Sequence, residues 1–144
     1  MLWSGFPARA LPVLAFVLSL PVLAPAQGAP PPACAPEIVG PWSGKVWDQG
    51  RIKELDTRFS TSGGQLTGTY HVQDEDGGYD GTLTGFEPSG ACAGTFRWHD
   101  RHGDGVVWVE FRPDRDRFDG EWGVERPLPD RLFNGRRFRP APTS

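Results

Sequence analysis

Two imidazoles and two carboxylates fall within seven residues at His99-Asp100-Arg101-His102-Gly103-Asp104-Gly105, a set of side chains able to hold a cation. The order Asp100, His102, Asp104, Gly105 echoes a calcium loop. Such a loop needs an oxygen ligand where His102 stands and a bidentate glutamate where Phe111 stands. The third histidine, His71, is distant in sequence, and no cysteine is spare for zinc. Ligand count therefore favours a solvated turn. The carboxylates of Asp74-Glu75-Asp76-Gly77-Gly78 have the chemistry of an acid and base pair or a weak cation site, but no partner is identifiable, and acidic Gly-rich turns ordinarily face solvent. Ser43, Ser60, Ser62 and Ser89 lack the strand-to-helix elbow that activates a hydroxyl. We expect no catalytic residue, no metal and no cofactor, and hence a protein that is not an enzyme.

The segments that carry these residues share one phrase, apolar–Xaa–Gly–Xaa–apolar. It occurs at Leu66–Tyr70, Tyr79–Leu83, Cys92–Phe96 and Phe118–Trp122, with a looser copy at Phe133–Arg137. Its glycines at 68, 81, 94 and 120 stand at one common step or twice that step, as one strand plus one turn repeated would place them. From Gly40 onward polarity alternates with period two. Eight strands are predicted: Pro41–Asp48, Lys53–Ser60, Gln65–Val72, Tyr79–Phe86, Cys92–His99, Val106–Phe111, Arg117–Val124 and Phe133–Phe138. Their short connectors imply antiparallel neighbours, and the single apolar face implies closure, giving an all-β, eight-stranded antiparallel up-and-down β-barrel. Leu66, Tyr70, Tyr79, Leu83, Cys92, Phe96, Trp98, Phe118 and Trp122 fall on the inward side by parity. So do the repeat glycines. Either they admit large rings from neighbouring strands, or they leave a hollow waist.

The chain begins with Arg9 as its one early charge, an apolar run Leu11–Leu23 and a small-residue tract Ala24-Pro25-Ala26, the pattern of a signal peptide cleaved after residue 26. Residues 27–39, rich in Pro and Ala, are expected to form an extended lead-in, 40–139 the single barrel domain and 140–144 a tail. The apolar run is too short, and too interrupted by Pro12 and Pro21, for a membrane span. Lipid attachment at Cys34 is the weaker reading, because Pro31 stands where a leucine-like residue is required. A formal net charge of −3 argues against nucleic acid. The arginines of the C-terminal part are interleaved with carboxylates, the pattern of a salt-bridged surface. Two cysteines, Cys34 and Cys92, in a periplasmic or secreted protein imply a disulfide, worth about 4 kcal/mol by the chain-entropy argument.

The strand phrases resemble those of calycin-type barrels, the class of lipocalins, fatty-acid-binding proteins and avidins. Gly40-Pro41-Trp42 is similar to the Gly-Xaa-Trp of the first strand in that class. The resemblance implies that an arginine on the last strand, Arg137 or else Arg136, packs on that tryptophan and closes one barrel end. Within the class, Gly64–Tyr70, Ala93–Phe96 and Phe118–Trp122 resemble avidin and streptavidin most closely. The biotin site does not carry over. Tyr70 matches the tyrosine that donates to the ureido oxygen, but Val72 replaces a hydroxyl, Gly44 and Trp47-Asp48-Gln49 replace the asparagine and serine near the first strand, Phe118 replaces a tryptophan, and Arg137 replaces a buried aspartate.

Two functions follow as expectations. The first is an exported binding protein holding a small, partly apolar ligand at the barrel mouth, with Tyr70, Trp98, Phe118 and Trp122 supplying ring faces and Tyr70 or Arg137 orienting a polar group. The alternative is a solid barrel that binds a macromolecular partner, an envelope protein or an inhibited hydrolase, through the turns at Trp47–Gln49, Asp74–Tyr79 and His99–Asp104.

Overall fold

The computed structural model describes residues 33–139 together with 142 and 143. The segment 1–26 expected to be a signal peptide and the first part of the lead-in lie outside them. A short helix, α1 (Ala35–Ile38), precedes eight strands: β1 (Gly40–Asp48), β2 (Arg51–Ser62), β3 (Gln65–Val72), β4 (Tyr79–Pro88), β5 (Ala93–Asp100), β6 (Gly103–Phe111), β7 (Arg117–Gly123) and β8 (Gly135–Arg137). Each pairs antiparallel with the next, and β8 pairs with β1 to close the barrel. The eight-stranded up-and-down barrel expected from the repeats is the observed fold.

Local chemistry explains the joints. Gln49 and Gly50 both take positive φ, as do Gly63 and Gly64, which suits the tight two-residue turns that follow β1 and β2. The last strand is shorter than the predicted Phe133–Phe138. Leu132 and Phe133 make single bridges to Glu121 and Val46, and regular pairing begins at Gly135. The lead-in is also not extended throughout, since Ala35–Ile38 form one helical turn.

That turn plugs one end of the barrel. Ile38 is buried and its carbonyl accepts the Trp42 indole N–H at 2.9 Å. Arg115 reaches Glu37 at 2.9 Å, and Cys34 is bonded to Cys92. The disulfide, as expected, ties the lead-in to the wall. Arg137 lies over the Trp42 ring at 4.5 Å and donates to the Val39 carbonyl. The arginine expected to close this end on the first-strand tryptophan is therefore in place.

Above the plug, rings fill the interior. Trp42, Phe59, Phe111 and Phe118 meet mostly edge to face at centroid separations of 5.3–6.3 Å, and Phe96 stacks on Phe59 at 5.8 Å. Each such ring contributes about 1.5–3 kcal/mol by burial, with edge-to-face geometry adding about 0.5–1.5. The repeat glycines admit this packing. A methyl group on Gly81 would lie 2.1 Å from the Tyr70 ring, and one on Gly94 would lie 2.5 Å from that of Phe86. At Gly120 the obstacle is backbone, because the carbonyl oxygens of Trp108 and Phe133 stand 2.5 and 2.7 Å from the same point. The waist is filled rather than hollow.

Gly120→Ala should accordingly destabilise the barrel by about 2 kcal/mol or more, since backbone cannot yield as a side chain can. Chemical denaturation of the purified variant measures this. A loss under 0.5 kcal/mol, a threshold set by roughly what a free surface change costs, would show that the carbonyls do not press on this position.

Candidate functional site

The turns after β1, β3, β5 and β7 meet at the end opposite the plug. Alternation along each strand decides which side chains reach the space between them. β1 sends in Val46 and Asp48, β3 Tyr70 and Val72, β4 Tyr79, β5 Trp98 and Asp100. Val107 of β6, Trp122 of β7 and Phe133 complete the wall, with His102 at the rim. These residues enclose a cavity of about 50 Å³.

Ring packing sets its shape. Trp98 and Trp122 stand perpendicular with centroids 5.6 Å apart, and Tyr70 stands perpendicular to Phe133 at 5.9 Å. The Trp98 indole N–H donates to the Gly123 carbonyl and that of Trp122 to the Trp47 carbonyl, each at 2.9 Å. These bonds fix both rings to the wall. The Tyr70 hydroxyl donates to Asp100 Oδ2 at 2.6 Å, while Asp100 Oδ1 accepts the His102 backbone N–H at 2.8 Å. Burial, followed by the Asp100 carboxylate, pushes the Tyr70 hydroxyl far above its ordinary range. Burial, followed by the Asp48 carboxylate, does the same to Tyr79. Both phenols therefore stay neutral at physiological pH.

Beside the cavity lies a buried charge group. The Lys53 ammonium points inward from β2 and is held by Asp48 Oδ2 at 2.8 Å, Asp74 Oδ2 at 2.7 Å and Gln49 Oε1 at 3.4 Å. Its side chain is 3% exposed. Burial alone would lower the Lys53 pKa, but the hydrogen bonds to Asp48 and Asp74 more than reverse that and hold it above 10.5. The Lys53 hydrogen bond, with the Glu75 backbone N–H, lowers the Asp74 carboxyl from 3.8 to about 2. Cations also cap the rim rings: Arg101 lies 4.9 Å from the Tyr79 centroid, and Arg131 lies 4.9 and 5.1 Å from those of Trp122 and Trp47.

Of the residues expected to bind a ligand, Tyr70, Trp98 and Trp122 line this cavity. Phe118 and Arg137 do not. Phe118 is fully buried in the ring cluster at the plugged end, and Arg137 covers Trp42 there, so the expectation that all five converge is corrected. Parity placed Phe118 inward but gave no height along the barrel, which depends on strand register. Asp48 and Lys53 were missed, although Trp42, Val46 and Asp48 share one parity, as do Lys53, Leu55, Thr57 and Phe59. Asp74 lies in a loop, and no periodicity would have placed it beside Lys53.

The chemistry-bearing segments take their places on this frame. Asp100 and His102 form the turn after β5, and no group of three His, Cys, Asp or Glu among the described residues is placed to hold a metal ion. Ser43 lies outside the barrel and donates to Asp56 rather than to a histidine. Among the described residues no helix is long and apolar enough to cross a membrane. Comparison with family models, curated proteins and solved structures gave no match to this chain.

The charge group predicts a two-sided pH profile. Asp74, with its folded pKa lowered, adds stability that is complete above about pH 4 and is lost as pH falls through about 2. Lys53, with its folded pKa raised, adds stability that is complete below 10.5 and is lost as pH rises through the higher folded value. Urea midpoints measured against pH should fall at both ends. Lys53→Met should cost about 3 kcal/mol at pH 7 by leaving the buried Asp48 without its cation, and should diminish the alkaline fall to the part that Tyr70 and Tyr79 contribute. A variant as stable as wild type would refute the burial of this group.

Proposed function

We propose that this chain is an exported, non-enzymatic binding protein that takes one end of a small, partly apolar molecule into the mouth of its barrel. The observation that carries this reading is the cavity itself, walled by Tyr70, Trp98, Trp122 and Phe133 at the one end not plugged by α1. The rings of Tyr70, Trp98 and Trp122 are held by bonds to backbone or to Asp100, so they are organised before any ligand arrives. At about 50 Å³ the cavity is far below the roughly 300–1,000 Å³ of sites that enclose a drug-sized molecule. A ligand therefore inserts an end and leaves its body at the rim.

The likeness to calycin barrels supports the same reading. The Arg137–Trp42 contact joins Gly40-Pro41-Trp42 as a reason to place the chain near that class, and Tyr70 as a reason to place it near avidins, with a ligand other than biotin. Export to the periplasm or beyond is supported by the leader-like first 26 residues and by the Cys34–Cys92 bond, which suits an oxidising compartment.

A second reading has its own observation. Ile52 and Val124 are 52% and 61% exposed at the same end, so the turns there offer apolar contacts to a macromolecular partner, an envelope protein or an inhibited hydrolase.

Native mass spectrometry of the purified mature chain, with tryptophan fluorescence during a lipid and metabolite titration, separates the two. The small-molecule reading expects a bound mass and quenching, with Tyr70→Phe weakening binding by about 1 kcal/mol. No retained mass and no quenching, combined with a partner whose capture is lost in Ile52→Asp, would favour the second.

A further inference from the structure

The hydrogen-bonding inventory of the cavity is one-sided. Its four phenol and indole donors are already committed: the Tyr70 hydroxyl to Asp100, the Tyr79 hydroxyl to the Asp48 carboxylate, the Trp98 indole to Gly123 and the Trp122 indole to Trp47. What remains is acceptors. Tyr70 oxygen keeps a lone pair, each Asp100 oxygen accepts one bond and has room for another, and Asp48 has lone pairs beyond those that face Lys53 and Tyr79. No lysine or arginine is among the described residues lining the cavity. Lys53 is close by, but its ammonium already faces three oxygens, so it has no donor left for an incoming anion. At the rim, His102 Nε2 accepts a bond from Arg101.

A ligand group that fits this wall must bring donors, and preferably positive charge, to two carboxylates among ring faces. The rim shows the same preference in the protein's own residues, where Arg101 and Arg131 lie against Tyr79 and Trp122. A cation among desolvated aromatic rings gains from their quadrupoles, and a carboxylate beside them adds a charge-assisted hydrogen bond. An anionic head would meet Asp48 and Asp100 directly. A neutral hydroxyl would use the acceptors but forgo the charge.

Resting on the mouth-binding reading above, we propose that the inserted end is an ammonium group, so that the ligand class is a primary alkylamine whose head lies between Asp100, Asp48 and the rings of Tyr70, Trp98 and Trp122. The head matches the small cavity, and the alkyl body extends over the rim toward Ile52 and Val124.

Three probes of one chain length test the head alone. Isothermal titration of the mature protein at pH 7 with n-hexylammonium, n-hexanol and n-hexanoate should show hexylammonium at least tenfold tighter than hexanol, and no measurable hexanoate binding. Asp100→Asn should weaken hexylammonium at least tenfold and hexanol less than twofold. Hexanol or hexanoate binding as tightly as hexylammonium overturns the ammonium assignment and leaves the mouth reading standing. No binding by any probe overturns both. Undiminished hexylammonium affinity in an Asp100→Asn protein that melts like wild type also overturns the assignment; if that variant does not fold, the three wild-type titrations decide.

Discussion

The edge-to-face packing of Trp42, Phe59, Phe111 and Phe118 is the contact on which the rest of this barrel depends. Eight strands enclose a space near the threshold between filled and hollow. Here four large rings, with Phe96 and Phe86 against them, occupy its lower half. The sheet tolerates that much ring only because side chains are missing where rings lie, as at Gly81 and Gly94. Helix α1 then covers Trp42, and the disulfide holds α1 down. One end becomes a solid core, and the small cavity lies at the other.

At that other end the same residue types serve a different purpose. Rings there pack in perpendicular pairs and are also held by hydrogen bonds to backbone, and a small volume is left between them. The buried Lys53 with its two carboxylates costs desolvation, and well-packed apolar residues would have served stability as well or better. Its position beside the cavity suggests another use. It draws the β1–β2 turn and the β3–β4 loop together, fixing Asp48 and Asp74 at the rim. The Tyr70–Asp100 bond performs the same task across the barrel, joining β3 to the turn after β5.

Much of the architecture was legible in the sequence, because period-two alternation and the recurring glycine phrase each report a physical necessity of a closed sheet. Cys34 and Cys92 followed from number and compartment, and Arg137 over Trp42 followed from resemblance. The site was legible only by face. Parity puts Tyr70, Trp98, Phe118 and Trp122 inside alike, yet the register that lifts three of them to the mouth and sinks Phe118 into the core comes from pairing across strands, such as Phe118 opposite Gly135. Lys53 and Asp48 carried the same parity signal, but charged residues read as solvent-facing until a partner is seen. Asp74 had no periodic signal, since loops place residues by closure geometry.

The central claim is that ligand chemistry belongs to one end of the barrel and the core to the other, and the tryptophan side chains report on both. Nitrogen-15 NMR of the indole N–H groups during a hexylammonium titration tests it directly. Shifts concentrated at Trp98 and Trp122, with Trp42 unmoved, are the predicted result. A Trp42 signal that moves as much as theirs, or a titration that leaves Trp98 and Trp122 where they were, would contradict it.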